Sequence, residues 1–262
     1  MKNLSLLLLA FAFLFSCSED EDSANPKADF EVTISGEAPN AQLAINNLSS
    51  DASSYEWTFS QGASISTSTD EAPANVTVDK AGELIVSLTA KKDSEENTMS
   101  DTLVIPGYSA IKTYSDINFD IDENGSNGRF FSFETESMYM DSEINADNGS
   151  MIHIGFDYIA HSAMKFASPD SDDFADINIP NAESTVVNNY ESDIAISQTD
   201  FENMVDDRLI KDLTVTFDQD VFGQSILPNL VQFELSDGRI GLINAKSLES
   251  DYIVADIVIQ KY

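Results

Sequence analysis

What the 262-residue sequence lacks narrows its chemistry before any motif is read. Cysteine occurs once, as Cys17, so no disulfide can form within the chain. Histidine occurs twice, as His153 and His161, and a zinc site built on them would need two further good ligands, of which no thiol is to hand. Basic residues number 13 against 46 acidic ones, a formal net charge of −33. A surface this negative opposes nucleic acid, whose binding needs a basic patch to displace counterions from phosphates. It also repels anionic lipid headgroups, and its general effect is solubility in a salty medium. The sequence holds no Gly-x-Ser-x-Gly elbow, no His-Glu-x-x-His and no glycine-rich phosphate loop. A glycosidase-type carboxylate pair leaves no readable trace here, because among 46 acids any two could be neighbours in space.

Long apolar runs are missing too, except at the start. Lys2 supplies a positive charge, Leu4 to Phe15 is almost unbroken apolar sequence, and the small Ser16 ends it. This is the layout of a signal peptide over residues 1–16. The run is shorter than the roughly 20 residues that cross a bilayer, and polar residues follow at once. Leu14-Phe15-Ser16-Cys17 resembles the bacterial lipobox, which implies that Cys17 is diacylated and anchors the chain to a membrane; the alternative is an ordinary cysteine beside a conventional cleavage site. Two acyl chains give stable anchoring where one is marginal. Ser18-Glu19-Asp20-Glu21-Asp22 resembles the surface-export signal of Bacteroidetes lipoproteins, implying the outer face of the outer membrane. The competing reading of residues 17–26 is a tether kept extended by its own charge.

Hydrophobic residues make up 42% of the chain and aromatics 10%, which excludes a disordered acidic protein. Roughly 240 residues follow the tether, enough for two ordinary domains. Apolar residues alternate with period two at Ala41, Leu43 and Ile45; at Leu84, Val86 and Leu88; at Ile152, Ile154, Phe156 and Tyr158; at Leu213, Val215 and Phe217; and at Ile253, Ala255, Ile257 and Ile259. Alternation with turn signals between predicts half-buried antiparallel strands. Val231 to Leu235 and Arg239 to Ile243 flank Asp237-Gly238, a hairpin turn pair. Between Thr199 and Leu209 the spacing of Phe201, Met204, Val205 and Leu209 predicts one short helix, with Thr199 and Glu202 as its capping box. The strand-like run Thr102 to Ile105 ends at Pro106-Gly107, which sets domains at 27–106 and 107–262. The expected fold is all-β: an N-terminal β-sandwich followed by a larger antiparallel, jelly-roll-like sandwich.

Ala28-Asp29-Phe30, Asn46-Asn47-Leu48-Ser49, Tyr55-Glu56-Trp57-Thr58-Phe59 and the run Ala81-Gly82-Glu83-Leu84-Ile85-Val86-Ser87-Leu88-Thr89-Ala90 together resemble the PKD family of immunoglobulin-like sandwiches. Where that family continues with Gly-Asp-Gly, this chain reads Ser60-Gln61-Gly62. The resemblance implies a spacer or interaction module, with Trp57 in its core. The C-terminal part bears only a general likeness to the corresponding domains of PKD-bearing Bacteroidetes lipoproteins, and no activity carries over.

Candidate sites fall in the second domain. Asp120, Asp122 and Asn124 followed by Gly125 match the first half of a calcium loop, but position twelve is Phe131 where a bidentate glutamate belongs. Calcium completed from a neighbouring loop and a plain acidic turn are the two readings. Asp170, Asp172 and Asp173, with Asp176, sit in a polar stretch from Ser168 to Asp193, and calcium or a solvated loop again compete. Tyr139, Tyr158 and Tyr190 are the candidate ligand-binding aromatics, since this domain has no tryptophan. The functional expectation is a non-enzymatic surface lipoprotein that binds a glycan or a surface protein. A structural envelope role and a carboxylate-dependent carbohydrate enzyme are the alternatives.

Overall fold

The computed structural model describes residues 24–190 and 196–262. The signal peptide, Cys17 and the tether up to residue 23 lie outside the described residues. No described helix is long and apolar enough to cross a membrane.

Seven strands build the first unit: β1 (Phe30–Ser35), β2 (Ala41–Asn47), β3 (Ser54–Phe59), β4 (Thr67–Ser68), β5 (Val76–Val78), β6 (Gly82–Lys92) and β7 (Glu95–Ile105). They form two antiparallel sheets, ordered β1-β2-β5 and β4-β3-β6-β7. Along β6 the predicted alternation holds, with Leu84, Val86, Leu88 and Ala90 buried between exposed or half-buried neighbours. They close over Trp57, which is 0% exposed. Its ring meets Phe30 edge-on at 5.2 Å and its indole N–H donates to the Asp70 carbonyl at 3.0 Å. A buried indole satisfied this way is a core residue and not a sugar platform.

Among its described residues the second unit has nine strands and one α-helix: β8 (Ile111–Asp120), β9 (Phe130–Ser132), β10 (Ser137–Tyr139), β11 (Ile154–Ala160), β12 (Ala163–Ala167), β13 (Val186–Asn188), α1 (Gln198–Glu202), β14 (Asn229–Glu234), β15 (Ile240–Leu248) and β16 (Tyr252–Gln260). A four-stranded sheet, β10-β9-β11-β12, faces a five-stranded one, β13-β14-β15-β16-β8. In the larger sheet β13 to β16 follow one another as a meander, and β8 closes it beside β16. The core between the sheets is rich in phenylalanine: Phe119, Phe131, Phe133, Phe156, Phe166, Phe222 and Phe233. Two smaller clusters cover the outer faces, one of Ile196, Phe201, Ile210 and Val215 on the larger sheet, the other of Ile152, Phe174 and Ile179 beside Phe130. Strands covered on both faces lose their polar alternation, which explains the nearly continuous burial of β14 and β15.

Three expectations need correction. The helix is a single turn, capped by Ser197 and Asp200 and not by Thr199 and Glu202; a separate 3-10 turn covers Asp207–Leu209, and Val205 is 72% exposed. The run Leu213, Val215, Phe217 forms no strand: Val215 plugs the outer cluster while Phe217 is 59% exposed. The polar stretch after Ser168 is not all loop, since β13 joins the larger sheet and Phe174, Ile179 and Val187 are buried. Such covering segments pack irregularly and carry no fixed period. The hairpin stands as expected, with Gly238 at φ +86 and Leu235 N–H donating to the Arg239 carbonyl at 2.9 Å.

The cores of the two units share no residue, and polar contacts join them. Asp79 of the first unit binds the Lys261 ammonium and the Tyr262 hydroxyl. Ser109, in the connection, donates its N–H to the buried Asp207 carboxylate at 2.8 Å, and its hydroxyl accepts the Ala81 N–H at 3.2 Å.

Candidate functional site

One end of the second sandwich carries a preorganised loop, residues 121–127, that leaves β8 after Asp120. The Asp120 side chain is 2% exposed. It accepts the Asn127 N–H at 2.6 Å, the Asn127 side-chain amide at 2.6 Å and the Gly128 N–H at 2.8 Å. Asp122 makes a local turn, accepting the Asn124 N–H at 2.8 Å and its side-chain amide at 3.2 Å. Those donors, the backbone one foremost, hold the Asp122 carboxyl below its usual range, so it is ionised at neutral pH. Gly125 lies so near that a Cβ there would sit 2.2 Å from Oδ2 of Asp120. The loop therefore needs glycine at this position for space.

The loop borders a cavity of about 860 Å³. Its walls include Asp122, Asn124, Ser126 and Asn127 from the loop, Tyr158 from β11, Asp251 from the turn between β15 and β16, and Tyr252 at the start of β16. Sheet register brings these together: Tyr252 stands directly across from Asp120, and the Ile121 N–H donates to the Asp251 carbonyl at 3.0 Å. The Tyr158 hydroxyl lies 2.5 Å from Nδ1 of His161, which fixes the ring's outer end. Half-buried aromatic rings beside planar amides and carboxylates are suited to a ligand with apolar faces and hydroxyl edges.

The other candidates lie elsewhere. Tyr139 is half-buried, its hydroxyl 3.0 Å from that of Thr135, and packs on the Phe130–Phe174 cluster. Tyr190 is exposed, with its N–H held by Asp218. Asp170, Asp172 and Asp173 border a separate depression, where Asp170 takes the Ser168 hydroxyl and Asp173 binds the Lys165 ammonium at 2.7 Å. Among the described residues no three His, Cys, Asp or Glu side chains are placed to hold a metal ion. Three N–H donors already occupy Asp120, two on Oδ2 and one on Oδ1, so any calcium there would compete with them. His153 is largely buried, which pushes its pKa down, and its Nδ1 accepts the Phe133 N–H at 3.1 Å. Sequence reasoning missed Tyr252 and Asp251; the one signal for them was a polar Glu249-Ser250-Asp251 turn before an alternating strand.

No family model matches the chain, and no curated protein does. Among solved structures, the chain is similar to the PKD1 domain of a Vibrio cholerae metalloprotease, at 31% identity over 32% of this chain and 100% of that one, with a TM-score of 0.27. It is also similar to a DUF4466 family protein from Parabacteroides merdae, at 11% identity over 91% of this chain and 99% of that one, with a TM-score of 0.44.

Proposed function

We propose that this is a non-enzymatic lipoprotein, anchored through Cys17 at the cell surface, whose PKD-like first domain holds out a second sandwich that binds a glycan. The cavity bounded by Tyr158 and Tyr252 is the observation that carries this reading. Sugar rings present C–H faces that stack on aromatic rings and hydroxyl edges that hydrogen-bond to planar amides and carboxylates, and both kinds of group border this one cavity. The polar contacts that join the two domains through Asp79, Ser109 and Asp207 suit a spacer that presents a binding end.

Affinity electrophoresis of the full chain in gels containing neutral polysaccharides tests the proposal. Retardation by at least one polysaccharide is expected, and Tyr252→Ala should abolish it. If none slows the wild-type protein, or Tyr252→Ala is slowed equally, the reading falls.

A further inference from the structure

Two domains whose cores share no described residue move by default about their connection, because a large apolar interface is what normally prevents it. Here the connection is tied down on both sides. Toward the first domain, Tyr108 donates its N–H to the Ala38 carbonyl at 3.3 Å, Ala110 donates its N–H to the Asp79 carbonyl at 2.7 Å, and the Ser109 hydroxyl accepts the Ala81 N–H. Toward the second, Ser109 and Asp207 exchange two bonds, and Lys261 donates its N–H to the Ala110 carbonyl at 3.1 Å. The Arg208 guanidinium, held by Asp206, lies 4.9 Å from the centre of the Tyr108 ring. A strip bonded on both sides in this way fixes a position, yet leaves rotation about its own length.

A direct contact from domain to domain opposes that rotation. The Asp79 carboxylate takes the Lys261 ammonium on Oδ2 and the Tyr262 hydroxyl on Oδ1. The Tyr262 ring in turn has two ammonium groups beside it, Lys80 at 5.4 Å and Lys261 at 5.1 Å from its centre. A lone ion pair at a surface fixes little, but several charges and a ring joined in one network hold a geometry. Lys261 and Tyr262 follow directly on β16, which lies between β15 and β8 in the larger sheet, so whatever holds them holds that sheet.

We propose that this clasp of Asp79 with Lys261 and Tyr262 locks the two domains into one rigid body, and that its release turns residues 107–110 into a hinge. Both domains then keep their folds and lose only their fixed mutual orientation. The inference needs no ligand and stands whether or not the cavity binds a glycan.

Residual dipolar couplings of the backbone N–H groups, measured on the full chain in a weakly aligning neutral medium, read the lock directly. In the wild type a single alignment tensor should fit both domains, in the mutual orientation of the structure. In Asp79→Ala, and independently in the double variant Lys261→Ala, Tyr262→Phe, each domain should still fit its own tensor while the two tensors diverge in magnitude. The clasp is broken from one domain in the first variant and from the other in the second, so a folding defect in one leaves the other to decide. Asp93→Asn, in the turn between β6 and β7 at the end of that hairpin away from the junction, should keep the single tensor. Unequal tensors in the wild type, a single tensor retained in either folded clasp variant, or the same divergence in Asp93→Asn would overturn the proposal.

Discussion

The Asp120 carboxylate accepts both the backbone N–H and the side-chain amide of Asn127, each at 2.6 Å. This double contact, with the Gly128 N–H as third donor, turns an acidic stretch into a fixed wall of the cavity. Asp120→Ala should cost about 2–3 kcal/mol in denaturant unfolding, since it strips partners from buried donors. Asp122→Ala, at an exposed turn, should cost less than about 1 kcal/mol.

Asp207 is the corresponding fixture at the junction. Its Oδ1 takes the Ser109 N–H at 2.8 Å and its Oδ2 the Gln260 amide at 3.1 Å, while its own N–H donates to the Ser109 carbonyl at 2.9 Å. Asp207→Ala should destabilise the second domain by about 1–3 kcal/mol and make the connection more accessible to protease. Limited proteolysis with mass spectrometry of the fragments reads this directly.

Trp57 gives the first domain its own reporter, because it is the sole tryptophan and fully buried. Its emission should be blue-shifted in the native protein and report the unfolding of that domain alone. Trp57→Ala should cost about 3–5 kcal/mol there, and Trp57→Phe less.

A pH dependence follows from His153. Burial lowers its pKa in the folded chain below the ordinary 6.5, so the folded state binds fewer protons than the unfolded one. The stability it confers is complete above the unfolded value and is lost as pH falls through the folded one. His153→Gln should flatten the stability profile just below pH about 6.5, above the range where carboxylates titrate. Chemical unfolding at a series of pH values measures the difference.

Much of the strand pattern was legible because half-buried strands obey a period of two, as β2, β6 and β16 do. Val215 was misread for the opposite reason: it plugs an outer sheet face from an irregular segment whose spacing answers to the surface beneath it. The site was half legible. The run from Asp120 to Gly125 is conspicuous, but its composition suggested ligands for a metal, whereas Asp120 is a buried acceptor that organises its own loop. Tyr252 lies more than a hundred residues away in sequence and reaches Asp120 only through the pairing of β16 with β8. No local pattern in the sequence encodes that pairing.

Calcium should be dispensable: added calcium or a chelator should leave the melting temperature and any saccharide binding unchanged, since Asp120 is engaged by three N–H donors and no three acids among the described residues are placed to hold the ion. Differential scanning fluorimetry checks this.

Hydrogen exchange of the full chain with and without a saturating saccharide tests the central claim most directly. The account predicts slowed exchange in residues 121–127 and 250–252, with β3 and β6 of the first domain unchanged. Protection confined to other segments, or none at a saccharide concentration that retards the protein in gels, would contradict it.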